Sequence, residues 1–177
     1  LFRSLAYATY SFIADRDSLP ALSGDDLLRT QKITIPARME TLRMRQKTLI
    51  VDGSHNSQKI GVLVESYLAK YHDQKCTVLL ALVEDKENDL DAIMNCIAKI
   101  ADHMIITRTM KTQDIKKRSI EPETVQKIAQ EYNISTTVLE DPTEALSHLL
   151  QVPNSILMIT GSFYLLNTLR PLIAKEQ

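Results

Sequence analysis

The chain has 177 residues, 44% of them hydrophobic and 24% charged, with a net charge of −1 at neutral pH. That length fits one domain, with room for an appendage, and the near-zero charge, spread over scattered Lys and Arg, leaves no global field to recruit nucleic acid or an anionic membrane. No apolar run reaches the roughly 18 residues of a membrane helix, no secretory signal is visible, and the two cysteines, Cys76 and Cys96, read as reduced core residues of a cytosolic protein rather than a disulfide or half a zinc site.

Residues 1–13 read as an apolar helix already in progress, with no cap before it and no start methionine, so the chain is expected to be a piece of a longer protein. Asp15-Arg16-Asp17-Ser18-Leu19-Pro20 reads as a polar break, and Ser23-Gly24-Asp25-Asp26 opens a short helix with good N-cap chemistry. Two short strands are expected over 32–36 and 39–43, around Pro36-Ala37-Arg38. From Thr48 onward strands and helices alternate: strand 48–51 with helix 58–71, strand 76–83 with helix 90–100, and strand 103–107 with helix 122–132 across a polar loop. Strand 136–139 with helix 142–150 and strand 155–160 with helix 163–173 complete the series.

Pro122 and Pro142 fall in first helical turns, where proline is tolerated. The unbroken apolar runs 78–83 and 156–159 suit parallel strands covered on both faces. Apolar residues recur at helical spacing, as in Ile93, Ile97 and Ile100 or Val125, Ile128 and Ala129. The alternation predicts an open α/β fold, a mostly parallel sheet with right-handed crossovers and helices on both faces.

Only four glycines occur in the chain, and two follow strand-like runs inside polar clusters, Asp52-Gly53-Ser54-His55-Asn56 and Thr160-Gly161-Ser162. Strand, tight glycine turn and helix is how such a sheet presents polar groups and free backbone N–H donors at its carboxyl edge. Two of them predict one ligand site assembled from distant sequence. Asp52 can accept from a ribose hydroxyl, and His55 and Asn56 can bind a carboxylate or phosphate. The blander alternative is a helix start capped by Asn56 or Ser57, with Asp52 satisfying backbone donors.

Thr160 and Ser162 offer hydroxyls to an anion at a helix N-terminus, or Ser162 is only an N-cap before Phe163-Tyr164. Lys86 can reach a phosphate or carboxylate, or is an exposed loop charge. Arg38 can stack on a base or clamp a phosphate, or forms a surface pair with Glu40 worth ~0–1 kcal/mol. His72, His103 and His148 lack metal-ligand spacing, and Lys116-Lys117-Arg118 reads as a solvated loop. Neither G-x-x-x-x-G-K-S/T, G-x-G-x-x-G nor G-x-S-x-G occurs, so any ATP phosphates would be held by another domain.

Taken in order, Pro36-Ala37-Arg38-Met39-Glu40, Asp52-Gly53-Ser54-His55-Asn56, Asp85-Lys86 and Thr160-Gly161-Ser162-Phe163-Tyr164 resemble the carboxyl-terminal domain of the folylpolyglutamate synthases. These ligases can double as dihydrofolate synthases and are related to the Mur ligases; their patterns are P-G-R-x-E, D-G-A-H-N-P, D-K-D and T-G-S-x-Y. The resemblance covers 32–177 as a Rossmann-like glutamate-ligase domain, and 1–31 resemble the end of the family's amino-terminal ATPase domain and its linker.

The resemblance implies a cytoplasmic, monomeric, ATP-dependent ligase that adds L-glutamate to a folate through an acyl phosphate, with ATP and Mg2+ held mainly by the ATPase domain. It implies that Arg38 and Asp52 contact the nucleotide and that His55, Ser162, Asn56 and Lys86 hold the glutamate; no residue of the chain is assigned a catalytic role. The alternatives are a Mur-type peptide ligase of cell-wall synthesis and a non-catalytic α/β binding module. Ala37 stands where the pattern has Gly, Ser54 where it has Ala, Ser57 where it has Pro, and Glu87 where it has the final Asp. The first departure matters if that turn needs a positive φ.

Overall fold

A computed structural model of the chain describes residues 2–31, 35–44, 46–109 and 118–176. The chain divides into two compact units, 1–35 and 36–177. The first holds helices α1 (Phe2–Asp17) and α2 (Gly24–Gln31). Helix α1 runs through Asp15–Asp17, where the sequence suggested a polar break. That stretch contains neither Gly nor Pro, and Arg16 Nε pairs with Asp17 Oδ1 at 2.7 Å. The helix stops at Ser18, which turns to φ 55°. Ser23 and Asp26 form a reciprocal cap: the Asp26 N–H donates to Ser23 Oγ at 3.1 Å and the Ser23 N–H to Asp26 Oδ2 at 3.0 Å.

The second unit is a six-stranded sheet in the order β1-β2-β6-β3-β4-β5. Its strands are β1 (Glu40–Met44), β2 (Lys47–Val51), β3 (Cys76–Leu80), β4 (Ala101–Ile106), β5 (Ser135–Val138) and β6 (Ile156–Thr160). Among the described strands, β1 pairs antiparallel with β2 and the other pairings are parallel. Helices α3 (Ser57–Tyr71), α4 (Leu90–Ile97) and α5 (Pro122–Glu131) pack on one face, and α6 (Pro142–Gln151) and α7 (Phe163–Glu176) on the other.

Strand alternation feeds both layers. Ile50, Val78, Leu80, Met104 and Met158 join the core under α3–α5. Leu49, Val51, Leu79, Ile105, Leu157 and Ile159 join the core under α6 and α7. This double burial is why these strands read as unbroken apolar runs.

Three differences from the sequence reading have local causes. The β3 ladder ends at Leu80 rather than at residue 83. Ala81–Val83 stay buried but leave the parallel sheet, where 118–120 meet them: the Ile120 N–H donates to Leu82 O at 2.9 Å and the Glu84 N–H to Arg118 O at 3.0 Å. Helix α4 ends at Ile97, followed by a turn in which the Ile100 N–H donates to Ile97 O at 2.9 Å. Of the strand expected over 32–36, residues 32–34 lie outside the described residues, and Ile35 and Pro36 are not in a strand. The cluster at 116–118 is described only at Arg118, which is exposed. Cys76 and Cys96 are free thiols.

The turn before β1 keeps a left-handed backbone without glycine: Ala37 has φ 57° and Met39 φ 47°. For a residue with a side chain that region costs about 1–2 kcal/mol. The turn is nevertheless pinned from both sides. The Ala37 N–H donates to Glu40 Oε2 at 2.8 Å, the Gly53 N–H donates to Ala37 O at 2.9 Å, and the Met39 N–H donates to Asp52 Oδ2 at 2.6 Å.

Two stability predictions follow from this packing, both read as shifts of the urea-unfolding midpoint. Leu157→Ala, in the fully buried centre of β6, is expected to destabilise by about 2–5 kcal/mol, whereas Val62→Ala, 63% exposed on α3, changes little; equal effects would contradict the assigned faces. Ala37→Gly is expected to stabilise by about 0.5–1 kcal/mol, because relief of left-handed strain exceeds glycine's added chain entropy; a loss of stability would contradict a strained turn.

Candidate functional site

The polar clusters of the sequence meet at the carboxyl edge of the sheet because β6, last in the chain, lies between β2 and β3. Val51 is in register with Ile159, and Leu80 with Thr160. The turn after β2 and the turn after β6 are then bonded to each other: Ser54 O accepts from the Gly161 N–H at 2.8 Å and from Thr160 Oγ1 at 3.2 Å. Gly161 is required there. Its φ is 101°, and a Cβ would lie 2.6 Å from the Ala81 carbonyl oxygen.

Asp52 is buried, and both of its carboxylate oxygens accept backbone N–H groups, Oδ1 from Ser54 at 2.7 Å and Oδ2 from Met39 at 2.6 Å. It therefore ties the Arg38 turn to the β2 turn; the blander reading of Asp52, as an acceptor for backbone donors, describes these contacts. Each oxygen keeps a second lone pair.

Asn56 is the N-cap of α3, its Oδ1 accepting from the Lys59 N–H at 3.0 Å. Ser162, also buried, caps α7: its Oγ accepts from the Tyr164 N–H at 3.0 Å, and its own O–H remains a donor. Half-buried His55 sets Nδ1 2.9 Å from Gly53 O and Nε2 3.2 Å from Lys59 Nζ.

Phe163 is the hub that sequence reasoning passed over. Its ring lies on Gly53, where a Cβ would come within 2.3 Å of Phe163 Cζ. Arg38 sits over the same ring at 4.9 Å from its centroid, and His55 meets it edge-on at 6.4 Å. The signal was available in outline, since Gly53 has no side chain where an aromatic residue follows the second glycine turn. Lys59 and Asp89 were also passed over. Asp89 Oδ2 accepts the Ser57 N–H at 2.6 Å and fastens the 3-10 helix Glu84–Asp89 to the start of α3.

Arg38 does not pair with Glu40, as the blander alternative would have it. Glu40 is held by Arg170 in a two-pronged bridge, at 2.6 and 3.1 Å, and that guanidinium keeps the Glu40 carboxyl below its ordinary range against the opposing effect of burial. Arg38 is left exposed on Phe163.

The structure thus brings Arg38, Asp52, His55, Asn56 and Ser162 together. Lys86 lies beyond β3 on the 3-10 helix at the same edge, 3.6 Å from Asp85 Oδ2. Among the described residues no group of three or more His, Cys, Asp or Glu side chains could hold a metal ion. A cavity of about 330 Å3, lined by Met44, Gln46, Lys47, Leu150 and Glu176, lies at the opposite, amino edge of the sheet, away from these polar groups. Chemically the cluster is a flat aromatic face carrying a guanidinium, next to two helix N-termini with hydroxyl, amide and ammonium donors. Such a set suits a ring beside a phosphate, and a carboxylate.

Solved structures share this fold. The chain is similar to a Mycobacterium tuberculosis folylpolyglutamate synthase complexed with ADP and AMPPCP (20% identity, TM-score 0.70, 85% of this chain and 35% of that one). It is also similar to a Thermotoga maritima folylpolyglutamate synthase (22%, 0.68, 90% and 35%) and to E. coli FolC in complex with DHPP and ADP (14%, 0.74, 94% and 38%). At these identities the likeness is one of fold, and the chain spans little more than a third of each structure's length. No curated protein sequence matches the chain significantly. Residues 37–163 match the sequence-family model described as "Mur ligase, glutamate ligase domain", and this match over most of the chain, with the shared fold, places the protein in the family of Mur ligase glutamate ligase domains.

Proposed function

We propose that the chain is the glutamate-adding domain of an ATP-dependent folate ligase of the folylpolyglutamate synthase type, working in the cytoplasm as a monomer. In this reading residues 1–31 are the end of an amino-terminal ATPase domain and its linker, and that domain holds most of the ATP and the Mg2+. The observation that carries the reading is the bonded pair of glycine turns, after β2 and β6, with the Arg38 turn fastened to the first through Asp52. The fold it shares with structures described as folylpolyglutamate synthases, one of them complexed with ADP and AMPPCP, supports it.

The chemistry is an acyl transfer in two steps. ATP transfers its terminal phosphoryl group to a folate carboxylate oxygen, giving an acyl phosphate and ADP. The glutamate nitrogen then attacks the acyl carbon; the C–N bond forms, the C–O bond to phosphate breaks, phosphate leaves with the electron pair, and the nitrogen loses a proton to solvent. No step is routed through a metal ligand or a general base of this chain. Its residues bind and orient, which supplies the entropic part of the acceleration.

Arg38, held over the Phe163 ring, meets the nucleotide, and the second lone pairs of Asp52 accept from its ribose. Ser162 donates its O–H to a glutamate carboxylate at the α7 N-terminus, the His55–Asn56 corner receives the other carboxylate, and Lys86 adds positive charge from the 3-10 helix. The family model's own description favours a second reading, the same chemistry on a muramyl peptide.

In the natural full-length protein, Ser162→Ala should raise the KM for glutamate roughly tenfold with little change in the KM for ATP, as expected for loss of about 1.5 kcal/mol of hydrogen bonding to a charged group, and His55→Ala should raise the glutamate KM as well, because the ring is part of the corner that receives the second carboxylate. Arg38→Ala should do the reverse. Steady-state kinetics with each substrate varied in turn checks this; an unchanged glutamate KM in both of the first variants would remove the glutamate assignment.

A further inference from the structure

We infer that Lys59 is the cation that takes a glutamate carboxylate at the corner beside His55, and that His55 is a positioning residue that aims the Lys59 ammonium. The identity of the anion rests on the ligase reading above; the division of roles rests on geometry.

Both ring nitrogens of His55 are occupied. Nδ1 lies 2.9 Å from the Gly53 carbonyl oxygen, which can only accept, so Nδ1 carries the proton. Nε2 lies 3.2 Å from Lys59 Nζ, an ammonium that can only donate, so Nε2 supplies a lone pair. This assigns the neutral Nδ1–H tautomer from the partners of the ring. In that state the imidazole has no donor left to offer a carboxylate.

Lys59 has donors to spare. One N–H points to His55, and two remain. The side chain is exposed, and among the described residues no carboxylate forms an ion pair with it. Its position is also electrostatically unfavourable in isolation. It sits three residues after the N-cap Asn56, in the first turn of α3, which carries no acidic residue, where the helix dipole disfavours positive charge. Arg38, over the Phe163 ring that His55 meets edge-on, has the same sign. A cation placed against the dipole, locked by a histidine and left without a counter-charge, is suited to an anion that arrives from solution. Two cations then divide the work, Arg38 for the nucleotide and Lys59 for the amino acid.

The test compares Lys59→Met and Lys59→Arg with wild type in the natural full-length protein. Lys59→Met should raise the KM for glutamate roughly ten- to a hundredfold, the size of a lost charge-assisted hydrogen bond, with the KM for ATP unchanged, and Lys59→Arg should recover most of the loss. The urea midpoint should stay level or rise, since a charge opposed to the helix dipole has gone; a fall would mark a merely structural role and overturn the proposal. Nitrogen NMR of 15N-histidine-labelled protein should show His55 as the Nδ1–H tautomer, with its Nε2 resonance displaced in Lys59→Met. An Nε2–H tautomer would overturn the assignment. Normal wild-type turnover with an unaffected Lys59→Met variant would overturn the role of Lys59 alone, whereas wild-type protein without glutamate-dependent turnover would overturn the ligase reading beneath it.

Discussion

The site depends on one topological fact, the insertion of the last strand between the second and the third. With β6 in that place, two turns separated by about a hundred residues share a carbonyl: Ser54 O takes both the Gly161 N–H and the Thr160 hydroxyl. Glycine at 161 is the condition for this contact, because any side chain there would strike the Ala81 carbonyl. Helices α3 and α7 then start side by side, and their caps, Asn56 and Ser162, flank a single surface. Moving β6 to a sheet edge would leave every motif intact and abolish the site.

A second tie, the Asp52 carboxylate, reaches across to the turn before β1. It is a buried acid that serves the structure through both of its oxygens. The backbone N–H groups it accepts, from Met39 and Ser54, hold the Arg38 turn against the β2 turn, and Arg38 is then free to lie on Phe163, because Glu40 is already engaged by Arg170. The strain at Ala37 is held in place by its own bonds to the Glu40 carboxylate and the Gly53 N–H.

Much of this was legible in the sequence. The alternation of apolar runs and amphipathic segments, and the prolines at 122 and 142, set out the helices and parallel strands, because strands buried on both faces must be apolar throughout. The two glycine turns marked the edge where polar groups collect. Other features depend on tertiary contact and were not legible. Residues 81–83 are as apolar as a strand because they are buried, yet their partner is the segment 118–120 rather than the sheet. Phe163 looked like an ordinary helix start until its ring was found on Gly53. Lys59 carried no motif at all, and its meaning comes from a 3.2 Å approach to His55. The roles carried over from the family patterns describe which residues assemble, while hydrogen-bond donors and acceptors decide what each can do.

The central claim is that this surface presents an amino acid to an activated folate. The most direct measurement is glutamate-dependent phosphate release by the natural full-length protein, with tetrahydrofolate, dihydropteroate and a muramyl peptide supplied separately. The account predicts release with a pterin substrate and none with the peptide. Release with the muramyl peptide alone would move the protein to cell-wall synthesis, and silence with all three would contradict a glutamate ligase and leave a binding module of the same fold.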